Sequence, residues 1–193
     1  MQINYPDFFG GTWSTAPDPV DFSSFIGLDV TPGSTENAYR NRDGKPRNLA
    51  RIDGREILSL EEFVRQEEVK GEVGGQISSF ESVWSPKGAD GRPLKLFDRA
   101  TGELNPAAQR AWQQYYIRAV LAKNWDRLGP KLRGKINVIV GGEDTFHLEA
   151  PVARLCDFFK QKESNRLRNR SWARSRQPLP TFSLLPGWSR NPH

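Results

Sequence analysis

The stretch that decides the fold lies at residues 135–142 and reads KINVIVGG. Its β-branched residues are nearly continuous and a glycine pair ends the run, which is typical of a central parallel strand buried on both faces. Residues 148–161 follow with apolar side chains at helical spacing, and residues 181–185 read TFSLL, a possible last strand. Strand, helix and strand at this spacing predict a parallel βαβ unit.

A second strand pattern lies near the beginning of the chain. Residues 8–14 read FFGGTWS, and their aromatic side chains and close-packing glycines are typical of a short buried strand. We therefore expect strands near 9–14, 136–141 and 181–185 in one mostly parallel sheet. The predicted fold class is α/β.

The remaining elements are predicted from capping and turn signals. Residues 59–70 begin with a serine that has a glutamate three residues later, which indicates a capped helix. Residues 105–125 begin with an asparagine–proline pair and predict one long helix, which the Gly129-Pro130 pair closes. Residues 31–57 and 71–105 are rich in turn residues, so we expect long irregular excursions there.

Composition excludes several classes of protein. The 193 residues are 36% hydrophobic, which is enough for a core, and the 17 glycines and 14 prolines indicate many turns rather than a coiled coil or helical bundle. No run approaches the roughly 18–20 apolar residues of a membrane span. With one cysteine and two histidines, neither a disulfide scaffold nor a structural zinc site is expected. We expect no metal and no cofactor.

Charge is concentrated at one end of the chain. Residues 160–193 carry eight lysines and arginines against one glutamate, whereas the whole chain has a net charge of +5. The body of the protein is therefore mildly acidic and the tail is basic. Such a tail is most often simply solvated, although a basic surface can also attract nucleic acid or anionic lipid.

One carboxylate stands out as a candidate catalytic residue. Asp144 follows the central strand at residues 136–140, where open α/β sheets place their sites. A carboxylate there can orient a histidine and stabilise its imidazolium. Alternatively, Asp144 or Glu143 caps the helix that starts near Leu148. Spacing alone favours neither interpretation.

Other reactive side chains have less support. His147 lies at the entry to that helix and His193 is the last residue, and each is interpreted as incidental when taken alone. Cys156 lies on the apolar face of the helix at 148–161, so we expect a small inert hydrophobic side chain. The 193 residues contain no G-x-S-x-G nucleophile elbow. Gly187-Trp188-Ser189 is the segment most similar to this motif, but it lacks the motif's last glycine.

These segments together resemble the C-terminal part of bacterial esterases of the α/β-hydrolase class, related to esterase D and the enterochelin-esterase-like proteins. The resemblance covers about residues 4–160 and is carried mainly by residues 5–22, which read YPDFFGGTWSTAPDPVDF. Supporting matches lie at residues 91–93, 96–98, 101–102, 124–125, 132–136 and 141–149.

The resemblance implies a domain organisation and a partial catalytic site. Residues 1–161 would form part of an α/β-hydrolase domain with an insertion at about 20–130, and 162–193 would be a basic tail with a possible last strand. Asp144 matches the triad acid of the family, in a G-x-x-D-x-F pattern. The family's histidine follows the last strand in a P-G-x-x-H-like loop. Here the histidine after Pro186-Gly187 is His193, six residues beyond the glycine rather than three, so the match to a catalytic base is incomplete.

The implied activity is hydrolysis of a small carboxylic ester in the parent enzyme, through a serine, a histidine and Asp144. In the family, the serine and its elbow precede a segment like residues 5–19, so we expect no nucleophile in this chain and no activity of the chain alone. An upstream fragment could supply the elbow, or the chain could self-associate. The alternative is a non-catalytic remnant or binding protein whose basic tail contacts nucleic acid or acidic surfaces; no RNA-binding or helix-turn-helix motif accompanies that tail, and no membrane partner is expected.

Overall fold

The computed structural model describes residues 1–71, 73–169 and 182–185 and contains both helices and strands. Its contacts divide the chain into two compact units. The sheet unit comprises the described residues of 1–21, 117–144 and 148–193. The aromatic unit comprises the described residues of 22–116 together with 145–147.

The described strands are β1 (Thr12–Thr15), β2 (Asn48–Ile52), β3 (Arg55–Ser59), β4 (Ile136–Gly141) and β5 (Phe182–Leu185). The described α-helices are α1 (Leu60–Val69), α2 (Gln76–Trp84), α3 (Pro106–Trp112), α4 (Ile117–Lys123), α5 (Trp125–Leu132) and α6 (Glu149–Asn169). Short 3₁₀ turns lie at Phe22–Ser24 and Gln113–Tyr115.

The sheet unit is built on a three-stranded parallel sheet with the order β1-β4-β5. The β-branched strand β4 lies in the centre, where Thr12 pairs with Ile136 on one side and Phe182 pairs with Val138 on the other. This agrees with the predicted α/β class and confirms strands near 136–141 and 181–185, whereas the first strand begins at Thr12, three residues later than expected. Burial alternates along β4: Ile136, Val138 and Val140 are buried, whereas Asn137 and Ile139 on the other face are half-buried. The expected burial on both faces is therefore complete on one face only.

Helix α6 covers one part of this sheet. Its Val152, Leu155 and Phe159 are buried with Val138 and Val140 of β4 in one apolar cluster. The prediction ended this helix at residue 161, where the apolar spacing stops, but the helical backbone continues to Asn169. Residues 162–169 contain no glycine or proline and are mostly good helix formers, so the backbone continues as a helix beyond the buried face.

The single helix predicted over residues 105–125 is wrong, although its start is confirmed. The Asn105 side chain accepts from the Ala107 N–H at 2.9 Å and Pro106 is the first helical residue. The helix then ends at Trp112, and Tyr116 has an extended backbone with ψ of 94°. The Tyr116 ring stacks on the Phe22 ring with their centroids 5.4 Å apart, and this contact stabilises the interruption of the helix.

The Gly129-Pro130 pair does not end a helix, in contrast to the prediction. Both residues lie inside α5. A Cβ at Gly129 would come within 2.8 Å of the Trp125 ring, so the glycine permits close packing of that ring. Pro130 removes a single backbone donor near the end of the helix, and the helix finishes two residues later at Leu132.

The aromatic unit contains regular structure where only irregular excursions were predicted. Strands β2 and β3 form an antiparallel hairpin that is closed by Asp53 and Gly54, with φ of 49° and 71°. Positive φ at both turn residues is the type I′ geometry that suits an Asp-Gly pair. Helix α2 forms in the segment 71–105, and the carboxylate of Glu67 accepts from backbone N–H groups at its first turn. Helix α1 and its Ser59–Glu62 capping box are confirmed.

Candidate functional site

The carboxyl end of β4 carries the candidate site in the sheet unit. The three parallel strands run in the same direction, so β1, β4 and β5 present their carboxyl ends at one edge of the sheet. Asp144 follows the last residue of the central strand, Gly141, after a two-residue turn. Asp144 is half-buried, whereas the neighbouring Glu143 is exposed. The structure therefore places Asp144 at the strand end at which the sequence predicted it.

Asp144 also contacts the beginning of α6. Its Oδ1 accepts a hydrogen bond from the backbone N–H of Leu148 at 3.2 Å. This contact satisfies a donor that has no partner within the helix, and it places a negative charge near the positive end of the helix. The interpretation of Asp144 as a helix-start residue is thus supported by a hydrogen bond. A carboxylate accepts up to about four hydrogen bonds, so this contact and an acceptor role toward a histidine are compatible.

His147 belongs to the aromatic unit and contacts the β2–β3 hairpin there. Its Nε2 lies 3.2 Å from Nδ2 of Asn48, which is 99 positions away along the chain. An amide nitrogen donates, so the pairing requires an Nε2 that can accept. His147 has φ of 61°, in the left-handed region, and the nearby Thr145 carbonyl accepts from the Arg51 N–H at 3.0 Å. His147 therefore has a structural partner, which sequence spacing did not predict.

His193, the candidate base, lies outside the described residues, as do Pro186, Gly187 and Ser189. Strand β5 is described at Phe182–Leu185. Most of the basic tail also lies outside the described residues.

Cys156 lies in the core of the sheet unit, as expected. Only 4% of its surface is exposed, and burial raises the pKa of its thiol above the ordinary value. A thiol in this environment is protonated at neutral pH and is a poor nucleophile.

Among residues 1–71, 73–169 and 182–185, no three histidine, cysteine or acidic side chains come together as a metal-binding group. Within the same residues, no helix is both long enough and apolar enough to cross a membrane.

One feature that the sequence did not predict is a cavity in the sheet unit. Its volume is about 270 Å³, and it lies beside the face of β1 that carries Thr12 and Ser14. Gln2 forms part of its wall. Nothing in the sequence indicated this cavity, because its lining comes from five separate segments of the chain, at residues 1–3, 12–20, 117–121, 136–138 and 155.

Comparison with known proteins gave no relative. No protein-family model matches the chain, no curated protein matches its sequence, and no solved structure matches its fold.

Proposed function

We propose that this chain is the C-terminal part of an esterase of the α/β-hydrolase class, in which Asp144 is the acid of a Ser-His-Asp triad. The observation that carries the proposal is the parallel order β1-β4-β5 with Asp144 after the middle strand. In that class, triad members follow one another in the order serine, acid, histidine, at the carboxyl ends of successive strands. Strands β1, β4 and β5 would then be the strand after the nucleophile helix, the strand before the acid, and the strand before the histidine.

In this proposal, the chemistry of the parent enzyme is acyl transfer to water. The serine attacks the ester carbonyl, the histidine takes the serine proton and then gives it to the leaving alcohol, and water repeats the sequence on the acyl-enzyme. Asp144 would accept a hydrogen bond from Nδ1 of that histidine, which fixes its tautomer and stabilises the imidazolium. The position of Asp144 after a central strand and the contact that fixes its carboxylate at Leu148 support this proposal.

The exposed edge of the sheet at β1 supports the proposal that the nucleophile lies outside these 193 residues. Among the strands of the described residues, β1 is the terminal one in the order β1-β4-β5, and its Trp13 side chain is 73% exposed. Phe8, in the segment before β1, is 81% exposed. An edge strand flanked by exposed aromatic side chains can accept another strand. We infer that a preceding core strand, followed by the serine elbow, pairs with β1 in the parent enzyme.

The first test uses the DNA that encodes this chain and the chain itself. The proposal predicts a reading frame upstream that encodes G-x-S-x-G after a hydrophobic strand pattern. Its polypeptide, co-expressed with this chain, should co-purify with it and hydrolyse p-nitrophenyl acetate. A fluorophosphonate should label the elbow serine and leave the 193-residue chain unlabelled.

The control is the 193-residue chain alone, assayed beside albumin as a measure of nonspecific ester cleavage. We expect turnover no higher than that of albumin. Stoichiometric fluorophosphonate labelling of one serine in this chain would contradict the proposal, and so would an upstream region without any elbow-encoding frame.

A further inference from the structure

Three aspartates of the aromatic unit are followed directly by glycine, and all three pairs are exposed to solvent. They are Asp43-Gly44, Asp53-Gly54 and Asp90-Gly91. Glycine has no Cβ, so its backbone nitrogen is the least hindered one that the carboxyl group of a preceding aspartate can meet. The three pairs are therefore candidates for one covalent rearrangement, in which the aspartate side chain closes onto the next backbone nitrogen.

This rearrangement needs only water. The glycine nitrogen attacks the side-chain carbonyl carbon of the aspartate and closes a five-membered succinimide ring. The nitrogen loses its proton and the protonated carboxyl group loses its hydroxyl, and the two leave as one water. Hydrolysis returns that water. Opening at the side-chain carbonyl restores aspartate, whereas opening at the main-chain carbonyl gives isoaspartate, whose backbone runs through the former side chain; no electrons are transferred and the mass is unchanged.

Two of the three pairs are held by hydrogen bonds that oppose this closure. The Gly44 N–H donates to the Asn41 carbonyl at 3.0 Å, and the Gly91 N–H donates to the Gly88 carbonyl at 3.0 Å. The Asp90 carboxylate also accepts from a backbone N–H two residues later, at 3.0 Å. These contacts must open before the nitrogen can attack, so closure at both pairs is slow in the folded chain.

The pair Asp53-Gly54 has no such contact. Among the described residues, neither the Gly54 N–H nor the Asp53 carboxylate has a hydrogen-bond partner. Asp53 has φ of 49°, in the left-handed region that disfavours a side chain, so the closed turn is strained and the strain is released when the turn opens. Both reacting groups are therefore available, and the native turn holds them less firmly than the other two turns hold theirs.

The hairpin around this turn offers little resistance to opening. Strands β2 and β3 form a two-stranded sheet, and their register shifts between Asn48 and Ala50 and again between Ala50 and Arg51. A two-stranded sheet has marginal stability of its own. The residues that close the turn, Ile52 and Arg55, are both exposed, so little buried apolar surface is lost when the tip opens.

We propose that Asp53 is a site of isoaspartate formation in the folded protein, and that Asp43 and Asp90 resist the reaction as long as the chain is folded. Isoaspartate adds one methylene to the backbone, which the two-residue type I′ turn between β2 and β3 does not accommodate. The product also carries a free α-carboxylate, the group that isoaspartyl carboxyl methyltransferases methylate. The site lies within the aromatic unit and does not depend on the proposed esterase function.

The test ages the 193-residue chain at neutral pH, both folded and in urea, and follows the aspartyl and isoaspartyl forms of each peptide by chromatography and mass spectrometry. In the folded chain, isoaspartate should form at Asp53 at least about tenfold faster than at Asp43 or Asp90, because only the latter need their hydrogen bonds to open. In urea, the three sites should react within about threefold of one another. An isoaspartyl methyltransferase should label the aged folded chain in the Asp53 peptide.

Two matched variants sharpen the comparison. Asp53→Asn keeps a pair that suits the type I′ turn and forms the same succinimide with loss of ammonia, so its conversion is read as a change in mass. Asp43→Asn places the same chemistry at a pair whose nitrogen is hydrogen-bonded. In the folded state, Asp53→Asn should convert at least about tenfold faster than Asp43→Asn.

The proposal is overturned if Asp53 stays unmodified in the folded chain, if Asp43 or Asp90 reacts as fast as Asp53 there, or if the two asparagine variants convert at the same rate. The ranking of the three sites in the wild-type chain needs no substitution, so it decides the question even if a variant fails to fold.

Discussion

The core of the sheet unit consists mainly of aliphatic side chains from β4 and from helices α4, α5 and α6, whereas the aromatic unit is centred on rings from three segments of the chain. These rings belong to Phe22, Phe25, Phe80, Trp84, Trp112 and Tyr116. The sheet unit thus depends on regular elements with a repeating apolar pattern. The aromatic unit depends on a few large side chains that connect loops and short helices.

The two units also differ in how completely they bury an ion pair. In the aromatic unit, Glu81 and Arg99 form an ion pair of 2.6 Å with side chains that are 3% and 8% exposed. Glu81 also accepts from the Leu96 N–H at 2.7 Å, so the pair holds a long loop in place. In the sheet unit, the fully buried carboxylate of Asp21 pairs with Arg118, whose side chain is 33% exposed. Both partners are therefore nearly buried in the aromatic unit, whereas one partner reaches solvent in the sheet unit.

The largest effect is expected at the centre of the aromatic unit. Trp112 has no exposed surface; its ring contacts Phe22, Phe25 and Trp84, and its Nε1 donates to Ser85 at 2.8 Å. Trp112→Ala should lower the free energy of unfolding by about 4 kcal/mol, because it removes a large buried ring and leaves a cavity. Urea denaturation followed by circular dichroism measures this change.

The control for this prediction is Trp13→Ala, at a tryptophan that is 73% exposed. It should change the free energy of unfolding by less than about 0.5 kcal/mol. Equal effects of the two substitutions would show that the ring cluster is not the main source of stability in its unit.

The second effect concerns the buried ion pair. Burial raises the pKa of Glu81, and Arg99 opposes this rise. Glu81→Gln leaves the Arg99 guanidinium buried without its carboxylate partner, so we expect a loss of about 3 kcal/mol in the free energy of unfolding at pH 7.

Glu61→Gln is the matched control in the same unit, because Glu61 pairs with Arg40 and Arg65, whose side chains are 45% and 61% exposed. Glu61→Gln should shift the urea midpoint of unfolding much less than Glu81→Gln does. A Glu81→Gln variant as stable as Glu61→Gln would mean that the buried pair does not hold the loop.

The contrast between the units also explains which elements could be predicted from the sequence. Strand β4 was predicted because its β-branched run is local, and the start of α3 was predicted because Asn105-Pro106 is a local signal. The break at Tyr116 depends on its contact with Phe22, and the first turn of α2 depends on the Glu67 carboxylate, so no local pattern indicates either. The β2–β3 hairpin is different, because its Asp-Gly turn was a readable signal that the prediction missed.

The candidate site likewise combines features that follow from local sequence with features that depend on distant residues. The position of Asp144 follows from the strand pattern, and its contact with Leu148 follows from the rules of helix starts. The contact between His147 and Asn48 joins residues 99 positions apart, so it could not be predicted from spacing. The residues that line the cavity beside β1 are also far apart in the sequence, so the cavity could not be predicted either.

The third prediction uses the only cysteine as a probe of the sheet unit. Because Cys156 is 4% exposed and burial raises the pKa of its thiol, native protein at pH 8 should react with iodoacetamide about a hundredfold more slowly than protein in urea. Mass spectrometry gives the rate. The alkylation rate of Cys156 in Trp112→Ala, whose substitution lies in the other unit, is measured for comparison. Fast alkylation of the native wild-type protein would contradict the tight core described for the sheet unit.

The smallest effect is expected at two helix starts, one in each unit. Ser59 accepts from the Glu62 N–H in the capping box of α1, and Asp144 accepts from the Leu148 N–H at the start of α6. Ser59→Ala and Asp144→Ala should each lower the free energy of unfolding of the 193-residue chain by about 1 kcal/mol. A loss of several kcal/mol at Asp144 alone would assign it a structural role larger than that of a helix start.

The central claim is that Asp144 is a triad acid, and the most direct test is the kcat of ester hydrolysis by the chain co-purified with its nucleophile segment. Asp144→Asn should lower kcat by about 10³- to 10⁴-fold, because the catalytic histidine would lose its orienting carboxylate. Glu143→Gln, at the exposed neighbouring carboxylate, should leave kcat within about twofold of wild type. Wild-type turnover in Asp144→Asn would contradict the claim and leave Asp144 only its contact with Leu148 at the start of α6.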